Sequence, residues 1–497
     1  MHVLFVSAEV DPYAKVGGLA DVAGSLPIAL KHLGVDVRIL MPHYGFIDSQ
    51  RFGLRPLFSF QFLHRTGSYW VEISEANLQG VPVYFVRAPW FFGDEQAVYG
   101  DWNFDMPRYI FFNQVTIACM YELERRLGWM PDIVHANDWH TGLLPFLVDD
   151  QRQHNPRWAN VGTMISIHNM AYQGDNAGGW CWDAGVPGRD HPELIARGLS
   201  NNMMAAALVY SDMITTVSPR YAVEIQFPYQ GYGLHDLLRM RTLDLYGILN
   251  GIDTVAWNPA TDPMLANNYD VETFDTKRVP NKAQLQLDTG LPVRDEVPVI
   301  GMVSRLVWQK GLDLAIPALQ QVLAQHDVQF VGLGTGEKFY NDALYQLGQE
   351  FHWKARTFVG FNATIANRIY AGCDIFLMPS HYEPCGIGQM IAMRYGALPL
   401  VRETGGLADT VTNYDNAGAD QGTGFIFSWE EPDAVYNTLV WAIESFRNRK
   451  TAWRRMQERA MLTDFSWERS AREYVKLYER IRQRRVTNPK LAEHQSR

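Results

Sequence analysis

The chain has 497 residues, of which 47% are apolar and 20% are charged, and its formal net charge is −10. Because one domain usually comprises about 100–200 residues, this length predicts two or three domains. The acidic balance argues against a nucleic-acid-binding protein, so an anionic substrate would have to be bound by a few local basic groups.

The four cysteines have neither metal-ligand spacing nor the density of a disulfide scaffold, which is typical of reduced thiols in a cytosolic protein. They are Cys119, Cys181, Cys373 and Cys385.

The first predicted strand begins at His2, so we expect no signal or transit peptide. No apolar run reaches about 18 residues, so we expect no transmembrane helix, no membrane partner and a cytoplasmic location.

Short, almost uninterrupted apolar runs recur in the first half of the chain. Such runs predict strands buried on both faces, as in a parallel sheet between helices. Segments of helical periodicity separate them, for example GLADVAGSLPIALKHLG from Gly18, so this half is predicted to be α/β. The predicted strands lie in HVLFVSA from His2, DVRILMP from Asp36, PDIVHAND from Pro131, VGTMISIHN from Val161 and DMITTVS from Asp212.

A second series of strands and helices begins near residue 297 and predicts a second domain of the same class. Its strands lie in VPVIGMVSRL from Val297, VQFVGLGTG from Val328, ARTFVGF from Ala355, CDIFLMPS from Cys373, ALPLVRET from Ala397 and TGFIFS from Thr423. The segment between the two series, Asn250–Asp270, is rich in Asn, Asp and Pro and predicts the hinge between the domains. The chain ends in a predicted amphipathic helix and a frayed tail.

Two stretches near the opposite ends of the chain contain the same pentapeptide, GGLAD, which begins at Gly17 and again at Gly405. In each case a predicted strand precedes the glycines and a predicted helix follows. Bare backbone at a helix start is suited to phosphate binding, and Lys15 adds a full charge beside the first pair. The alternative is a plain tight turn between strand and helix. Ligands of open α/β sheets bind outside the carboxyl ends of the strands, which favours a phosphate site.

Basic and acidic side chains follow two strands of the second series. In VSRLVWQKGLDL, Arg305 and Lys310 come after a strand and before a helix predicted to open at Gly311. Two cations there could hold a diphosphate, although a solvated basic loop is the alternative. In PSHYEPCGIGQ, Glu383 precedes a helix predicted to start at Gly386, and it could accept hydrogen bonds from sugar hydroxyls or be a simple N-cap.

Polar side chains also follow two strands of the first series, in HANDWHTG and ISIHNMAYQG. They are Asp138, His140, His168 and Asn169, and buried structural histidines are the alternative for the two imidazoles. The segment GLGTGEK is similar to a dinucleotide-binding fingerprint, but Glu337 stands where the third glycine of that motif is required.

Seven motifs in one order resemble the bacterial glycogen synthases and plant starch synthases of glycosyltransferase family 5. They are KVGGLADV, HANDWH, HNMAYQG, LNGIDTVAWNP, VSRLVWQKGLDL, EPCGIGQ and ETGGLADTV. The resemblance extends from residue 1 to about 480, and the motifs are specific as a set although each is weak alone.

The resemblance implies a GT-B fold, in which two Rossmann-like, doubly wound domains face each other across a cleft. Its implied parts are an N-terminal domain of residues 1–251 on the acceptor side, a C-terminal domain of residues 252–465 on the nucleotide-sugar side, a helix of residues 466–484 that crosses back to the N-terminal domain, and a frayed tail of residues 485–497. The implied reaction transfers glucose from ADP-glucose to the 4-OH at the non-reducing end of an α-1,4-glucan, with retention.

The resemblance also implies which residues act. The implied catalytic residues are Lys15, Asp138, His168, Arg305, Lys310 and Glu383. The implied substrate-binding residues are Gly17, Gly18, Asp21, Tyr99, Asn169, Asn250, Cys385, Gly386, Ile387, Gly388, Thr404, Gly405 and Gly406. Of these, Tyr99 has the least similar surroundings, since FDMPRYIFF is a loose copy of the family's segment.

The chain departs from the family's usual motifs at three single positions. Val16 and Gly388 each replace a threonine, which removes a hydroxyl but no backbone amide. Asn137 stands where histidine is usual. Ile391 stands eight positions after Glu383, where many other retaining GT-B enzymes have a second glutamate and family 5 does not.

Breaking the anomeric C–O bond builds negative charge on the departing phosphate, so fixed donors around it are the main catalytic aid. We assign that role to Arg305 and Lys310, assisted by Lys15. Because the sequence contains no D-x-D triplet, we expect no metal or other cofactor. The resemblance implies attack on the same face of the sugar without a protein nucleophile. We also expect the domains to close on the donor.

Three other readings stay open from the sequence. One is a related GT-B enzyme, such as a sugar-nucleotide epimerase or a phosphorylase with pyridoxal phosphate. Another is a catalytically silent glucan-binding protein, and the third is a nicotinamide oxidoreductase, which the failed fingerprint disfavours. The sequence also leaves the nucleotide base of the donor undecided, and the resemblance favours ADP over UDP. The absence of a plastid peptide favours a bacterial enzyme.

Overall fold

The apolar runs of the two halves form two separate sheets. The computed structural model describes residues 1–415 and 421–487, and within them one sheet has nine strands and the other has six. The first compact unit consists of Met1–Gly251 together with the C-terminal helix that begins at Trp467. The second unit consists of Ile252–Ser466.

The sheet of the first unit has the strand order β3-β4-β5-β2-β1-β6-β7-β8-β9. Its strands are β1 (His2–Val6), β2 (Asp36–Pro42), β3 (Arg55–His64), β4 (Gly67–Leu78), β5 (Val81–Arg87), β6 (Ile133–Asn137), β7 (Gly162–Ile167), β8 (Met213–Thr216) and β9 (Leu245–Gly247). The strands from β5 to β9 in this order pair in parallel, whereas β3, β4 and β5 form antiparallel hairpins at one edge.

Helices cover this sheet as expected for strands that are apolar on both faces. They are α1 (Gly18–His32), α2 (Trp102–Leu127), α3 (Leu144–His154), α4 (Gly178–Asp183), α5 (Pro192–Arg197), α6 (Met203–Tyr210), α7 (Pro219–Glu224), α8 (Pro228–Gly231) and α9 (His235–Met240). In α1 the residues Leu19, Val22, Leu26 and Leu30 are buried, which confirms the predicted apolar stripe.

The sheet of the second unit is parallel throughout and has the strand order β12-β11-β10-β13-β14-β15. Its strands are β10 (Val299–Leu306), β11 (Gln329–Gly336), β12 (Ala355–Val359), β13 (Ile375–Met378), β14 (Leu398–Arg402) and β15 (Phe425–Phe427). Its helices are α10 (Phe274–Lys277), α11 (Val279–Asp288), α12 (Leu312–Gln325), α13 (Lys338–Glu350), α14 (Ala363–Gly372), α15 (Gly388–Arg394), α16 (Gly405–Thr410), α17 (Pro432–Asn448) and α18 (Lys450–Leu462).

The C-terminal helix, α19 (Trp467–Thr487), packs within the first unit. The Tyr478 hydroxyl lies 2.6 Å from Nδ1 of the buried His135 on β6, and Arg485 pairs with Asp212. Ion pairs and a buried hydroxyl therefore fix this helix. The helix continues three residues past the predicted end at residue 484, and the rest of the predicted frayed tail, residues 488–497, lies outside the described residues.

All eleven predicted strands are confirmed, and with them the doubly wound α/β class. The predicted helix starts are displaced where glycine precedes the helix. Gly311 and Gly386 have φ values of 69° and 70°, so each lies outside the helix that follows, which begins at Leu312 or Gly388. The hairpin strands β3–β5 were not among the predicted strands.

The strand orders define where ligands of each sheet are expected. In the first unit the order reverses at β1, which pairs with both β2 and β6. In the second unit it reverses at β10, between β11 and β13. Open α/β sheets bind ligands outside the carboxyl ends of strands at such reversal points. The loops after β1, β6, β10 and β13 are the candidates, and they contain Lys15, Asp138, Lys310 and Glu383 among the predicted site residues.

Candidate functional site

In the first unit the loop after β1 is organised by Glu9, a residue that the sequence motifs did not single out. The Glu9 carboxylate is 3% exposed and accepts the backbone N–H groups of Val16 at 2.7 Å and Gly17 at 2.9 Å. The hydroxyl of Tyr99 also donates to it. Two backbone N–H groups of the glycine turn therefore already have a hydrogen-bond acceptor within the protein. Gly17 and Gly18 are exposed, and a Cβ at either would meet nothing within 4 Å.

Lys15 and Asp21 are brought together beside this turn. The Lys15 ammonium lies 2.5 Å from Asp21 and 3.2 Å from Asp11. Partial burial would lower the pKa of Lys15, but the hydrogen bonds and charges of the two carboxylates outweigh it and raise the pKa. Burial also raises the pKa of Asp21, against the effect of Lys15. Lys15 is therefore a charged group. An anionic ligand that binds Lys15 has to compete with the carboxylates of Asp11 and Asp21.

Asp138, His168 and Asn169 form a second group, after β6 and β7. One Asp138 oxygen accepts the backbone N–H of His168 at 2.7 Å and lies 3.5 Å from that of Asn169. Asp138 has a φ of 54°, a strained value for a residue that is not glycine. Burial raises its pKa to about 7, reinforced by the charge of Glu9 and opposed by the two amides. A strained, buried acid at the reversal point of a sheet is characteristic of functional sites.

The imidazoles of this unit are held neutral by their surroundings. Burial lowers the pKa of both His140 and His168 to about 3. The His168 Nε2 lies 3.0 Å from the Asn137 side-chain oxygen, while His140 stacks on Tyr99 with ring centroids 5.0 Å apart. The burial of Tyr99 raises its pKa well above the ordinary value, so its hydroxyl remains a donor to Glu9.

Asn250 lies beyond β9, at the end of the first unit. Its side chain is 8% exposed, and within the described residues its Oδ1 has no hydrogen-bond partner. A buried acceptor of this kind is costly unless a ligand or water satisfies it. Asn250 thus has a buried oxygen that can accept a further hydrogen bond.

In the second unit, two predicted residues pair directly with each other. The Lys310 ammonium lies 2.5 Å from a Glu383 carboxylate oxygen, which also accepts the Ser380 hydroxyl at 3.0 Å. Glu383 is 6% exposed and Lys310 is partly buried. Arg305 is exposed and donates to the Gln309 side chain at 3.1 Å. At the reversal point, the loops after β10 and β13 therefore present one cation that is hydrogen-bonded to a neutral side chain and one that is paired with a carboxylate.

The second GGLAD has a different environment from the first. A Cβ at Gly405 would lie 2.0 Å from the Glu383 carbonyl oxygen, and one at Gly406 would lie 2.2 Å from that of Cys385. Gly405 has a φ of 43°, and the Gly406 N–H donates to the Glu383 carbonyl at 3.0 Å. These glycines let two loops pack backbone against backbone. The two identical pentapeptides therefore have different local structures: the first glycine pair faces open space, and the second packs against the neighbouring loop.

The other predicted residues of the second unit surround this backbone contact. Cys385 is 4% exposed, and its carbonyl accepts the Gln389 side chain at 3.1 Å. Ile387 and Gly388 bring the chain into α15, and Thr404 precedes α16 in extended conformation. These residues follow β13 and β14, at the same edge of the sheet as Lys310 and Glu383.

Exposed aromatic rings at the sheet edge are a further signal that the motifs did not reveal. Phe361, in the loop after β12, is 92% exposed, and Trp308, directly after β10, is 52% exposed. An exposed aromatic face at such an edge is suited to stack on a planar group. The sequence GFNATIAN alone does not mark its Phe as a candidate binding residue. That interpretation requires the bounds of β12 and its position in the sheet.

Within residues 1–415 and 421–487, His, Cys, Asp and Glu side chains form no group of three that could hold a metal ion. No helix in the same part of the chain is both long and apolar enough to cross a bilayer. The four cysteines are buried and are not joined in disulfides.

Comparison with known proteins agrees with this arrangement. The family model for the starch synthase catalytic domain matches residues 2–240, and that for glycosyl transferases group 1 matches residues 286–460. The chain is 42% identical over 492 residues to a glycogen synthase of Desulforudis audaxviator, with 96% of each chain covered. It is 43% identical to a glycogen synthase of Thermotoga maritima, covering 97% of this chain and 99% of the relative.

A solved structure of a relative extends the comparison to the fold. The catalytic domain of starch synthase IV from Arabidopsis thaliana, solved with ADP and acarbose, has a TM-score of 0.86 and 32% identity, covering 97% of this chain and 99% of that one. A sucrose-phosphate synthase from Thermosynechococcus elongatus, at 16% identity and a TM-score of 0.59, supports the fold alone. The resemblance and the GT-B fold predicted from the motifs are confirmed. The chain is a glycosyltransferase that belongs to the family of bacterial glycogen synthases and plant starch synthases.

Proposed function

We propose that this enzyme elongates α-1,4-glucan chains by transferring glucose from ADP-glucose to the 4-OH at the non-reducing end, with retention. The observation that carries the proposal is the pairing of Lys310 with Glu383, next to Arg305, at the reversal point of the second sheet. One site there offers cations for a diphosphate and a carboxylate for sugar hydroxyls. Membership of the glycogen and starch synthase family supplies the reaction.

The leaving diphosphate is assigned to Arg305 and Lys310. As the anomeric C–O bond breaks, negative charge grows on the phosphate oxygen, and losing one fixed donor typically reduces the rate by about 10²–10³-fold. Glu383 then exchanges its ammonium partner for hydroxyls of the donor glucose. The acceptor hydroxyl attacks from the face that the diphosphate leaves, without a covalent glucosyl-enzyme.

The first unit is assigned to the acceptor side and to further contacts with the donor. Asp138 and the neutral His168 line its reversal point, where His168 can offer a hydrogen bond without a positive charge. The Gly17–Gly18 turn leaves open space above the start of α1, and Lys15 stands beside it as an additional cation. Asp21, Tyr99, Asn169 and Asn250 complete the proposed set.

We further propose that transfer requires no metal ion, because Arg305, Lys310 and Lys15 supply the positive charge. The substrates are ADP-glucose and a glycogen or maltooligosaccharide primer, in the cytoplasm of a bacterium. Closure of the two domains on the donor stays a prediction, and small-angle scattering with and without ADP tests it through a decrease in the radius of gyration.

The deciding experiment measures incorporation of labelled glucose into glycogen from ADP-glucose and UDP-glucose in parallel, each with and without EDTA. We expect rapid incorporation from ADP-glucose that EDTA leaves unchanged. Equal or faster incorporation from UDP-glucose would contradict the donor, and a loss with EDTA that added Mg²⁺ reverses would contradict metal independence. Mass spectrometry of enzyme quenched during turnover should find no glucosylated Asp138 or Glu383.

A further inference from the structure

Two loops of the second unit, residues 307–311 and 379–386, are connected by an ion pair and a ring stack, and also by hydrogen bonds to the backbone. The first connection is the ion pair of Lys310 and Glu383. The second is a stack of Trp308 on His381, with ring centroids 4.3 Å apart and planes within 11° of parallel. Each member of the stack lies two positions before a member of the ion pair. The separation of the two stacked rings therefore bears directly on the separation of Lys310 and Glu383.

The His381 ring is fixed by more than the stack. Its Nε2 lies 2.9 Å and 3.0 Å from the two oxygens of Asp313 on α12, and its Nδ1 lies 3.5 Å from Glu430. The residue is 7% exposed. A planar ring held between an aromatic face and two carboxylates has little rotational freedom. We refer to Trp308, His381, Asp313 and Glu430 as the imidazole clamp.

The backbone around His381 is held at the same place. Its N–H donates to the Gln309 carbonyl at 2.9 Å, and its carbonyl accepts the Arg402 guanidinium from the end of β14. The same Arg402 pairs with Glu430 at 3.0 Å. His381 is thus connected to the ends of β10 and β14, to α12 and to the loop before α17.

We propose that His381 is a positioning residue for glucosyl transfer, which acts through the imidazole clamp to hold Lys310 and Glu383 at the spacing that the donor requires. The inference rests on the proposed function of that pair. A diphosphate that recruits Lys310 and a sugar that recruits Glu383 must separate the ion pair, so the loops lose their ionic connection during turnover. The clamp touches neither group and remains to keep the loops in register.

A clamp of this kind predicts an effect on the chemical step more than on glucan binding. Misplacing a catalytic group by about 1 Å can reduce a rate by about 10²-fold. The variants H381L and W308L each remove the stack, and we expect W308L to fold normally because Trp308 is half-exposed. H381R supplies a planar side chain that can stack on Trp308 and pair with a carboxylate. H326N is the matched control, since His326 lies at the other end of α12, 3.4 Å from the Tyr436 hydroxyl.

The experiment measures kcat, KM for ADP-glucose and for glycogen, and the melting temperature of each purified full-length variant. We expect H381L and W308L to lower kcat about 10–100-fold. Their KM for glycogen should stay within about twofold of the wild-type value, H381R should recover most of the rate, and H326N should match wild type.

Unchanged kcat in H381L and W308L, or equal defects in H381L and H381R, would overturn the clamp while leaving the proposed function intact. A rate loss that only tracks the folded fraction at the assay temperature would overturn it as well. Absence of transfer from ADP-glucose by the wild-type enzyme would remove the proposed function, and the clamp with it.

Discussion

The Lys310 ammonium lies 2.5 Å from the Glu383 carboxylate, so the two charges that are assigned to opposite ends of the donor compensate each other in the free enzyme. Both side chains are largely buried, which makes the removal of one partner costly and the replacement of both by ligand groups feasible. The pair accordingly gives Lys310, the proposed diphosphate-binding cation, a counter-charge in the buried site. This relationship leads to the first prediction.

Glu383→Gln should separate nucleotide binding from transfer. Glutamine still accepts the Ser380 hydroxyl but leaves Lys310 without a counter-charge, so ADP should bind at least as tightly as to wild type. The rate of transfer should fall by at least about 100-fold, since the sugar loses a charged acceptor. Calorimetry with ADP and the incorporation assay provide the two measurements. The control is E473Q, which breaks the exposed Lys476–Glu473 pair of α19 and should change neither quantity. Weaker ADP binding in E383Q would contradict the prediction.

The two GGLAD segments should respond in opposite ways to alanine. At Gly405 a methyl group would clash with the Glu383 carbonyl at 2.0 Å and the φ of 43° is left-handed, so G405A should destabilise the fold by at least about 2 kcal/mol. At Gly18, which begins α1 and has open space around it, alanine should stabilise by about 0.5–1 kcal/mol. Urea unfolding of both variants measures the difference. If G405A and G18A have equal free energies of unfolding, the second glycine pair is not tightly packed.

Much of the fold was predictable because the buried strands are nearly continuous apolar runs, and the glycines and charges between them fall at the strand ends. The hairpin strands β3–β5 lie at a sheet edge, and β3 is partly exposed along its length, so it lacks the apolar run that marks a central strand. Alternation in RPLFSFQFLH was the available signal for β3.

The sequence motifs identified most residues of the candidate site, but they did not predict which residues contact each other. Nothing in two identical pentapeptides distinguishes Gly17, which faces open space, from Gly405, which packs on the Glu383 carbonyl, because that difference depends on the neighbouring loop. Glu9 was missed for the same reason. Its role depends on the amides of Val16 and Gly17 and the hydroxyl of Tyr99, which the chain brings together from up to 90 residues away.

Asp138 should make the stability of the protein depend on pH. Its pKa is about 7 in the folded protein against an ordinary value near 3.8, so between these values the native state holds a proton that the unfolded state has released. Native protein is therefore favoured at low pH, and this contribution is lost as the pH rises towards 7. From pH 5 to pH 8 wild type should lose about 3 kcal/mol relative to D138N, which does not ionise.

Urea unfolding of wild type and D138N at pH 5 and pH 8 tests this prediction. The exposed Asp183→Asn is a suitable control, and its stability difference from wild type should be the same at both pH values. If the difference between D138N and wild type is also independent of pH, Asp138 is ionised throughout the range and its burial is compensated.

Phe361 should be required for binding the base of the donor. Its ring is 92% exposed in the loop after β12, at the carboxyl edge of the sheet where Lys310 and Arg305 lie two strands away. Stacking of a base on an aromatic ring is worth about 1–3 kcal/mol, so F361A should raise the KM for ADP-glucose about 10-fold or more with little change in kcat. F361Y should retain normal binding.

Trp353 provides the matched control for this prediction, because it precedes β12 at the opposite edge of the same sheet and is also exposed, at 54%. W353A should leave the KM for ADP-glucose unchanged. Pyrophosphate, which has no base, should bind F361A and wild type equally in calorimetry, whereas ADP should bind F361A more weakly. If F361A weakens the binding of pyrophosphate as much as the binding of ADP, the ring stabilises the conformation of the loop and does not contact the base. The stacking assignment would then be wrong.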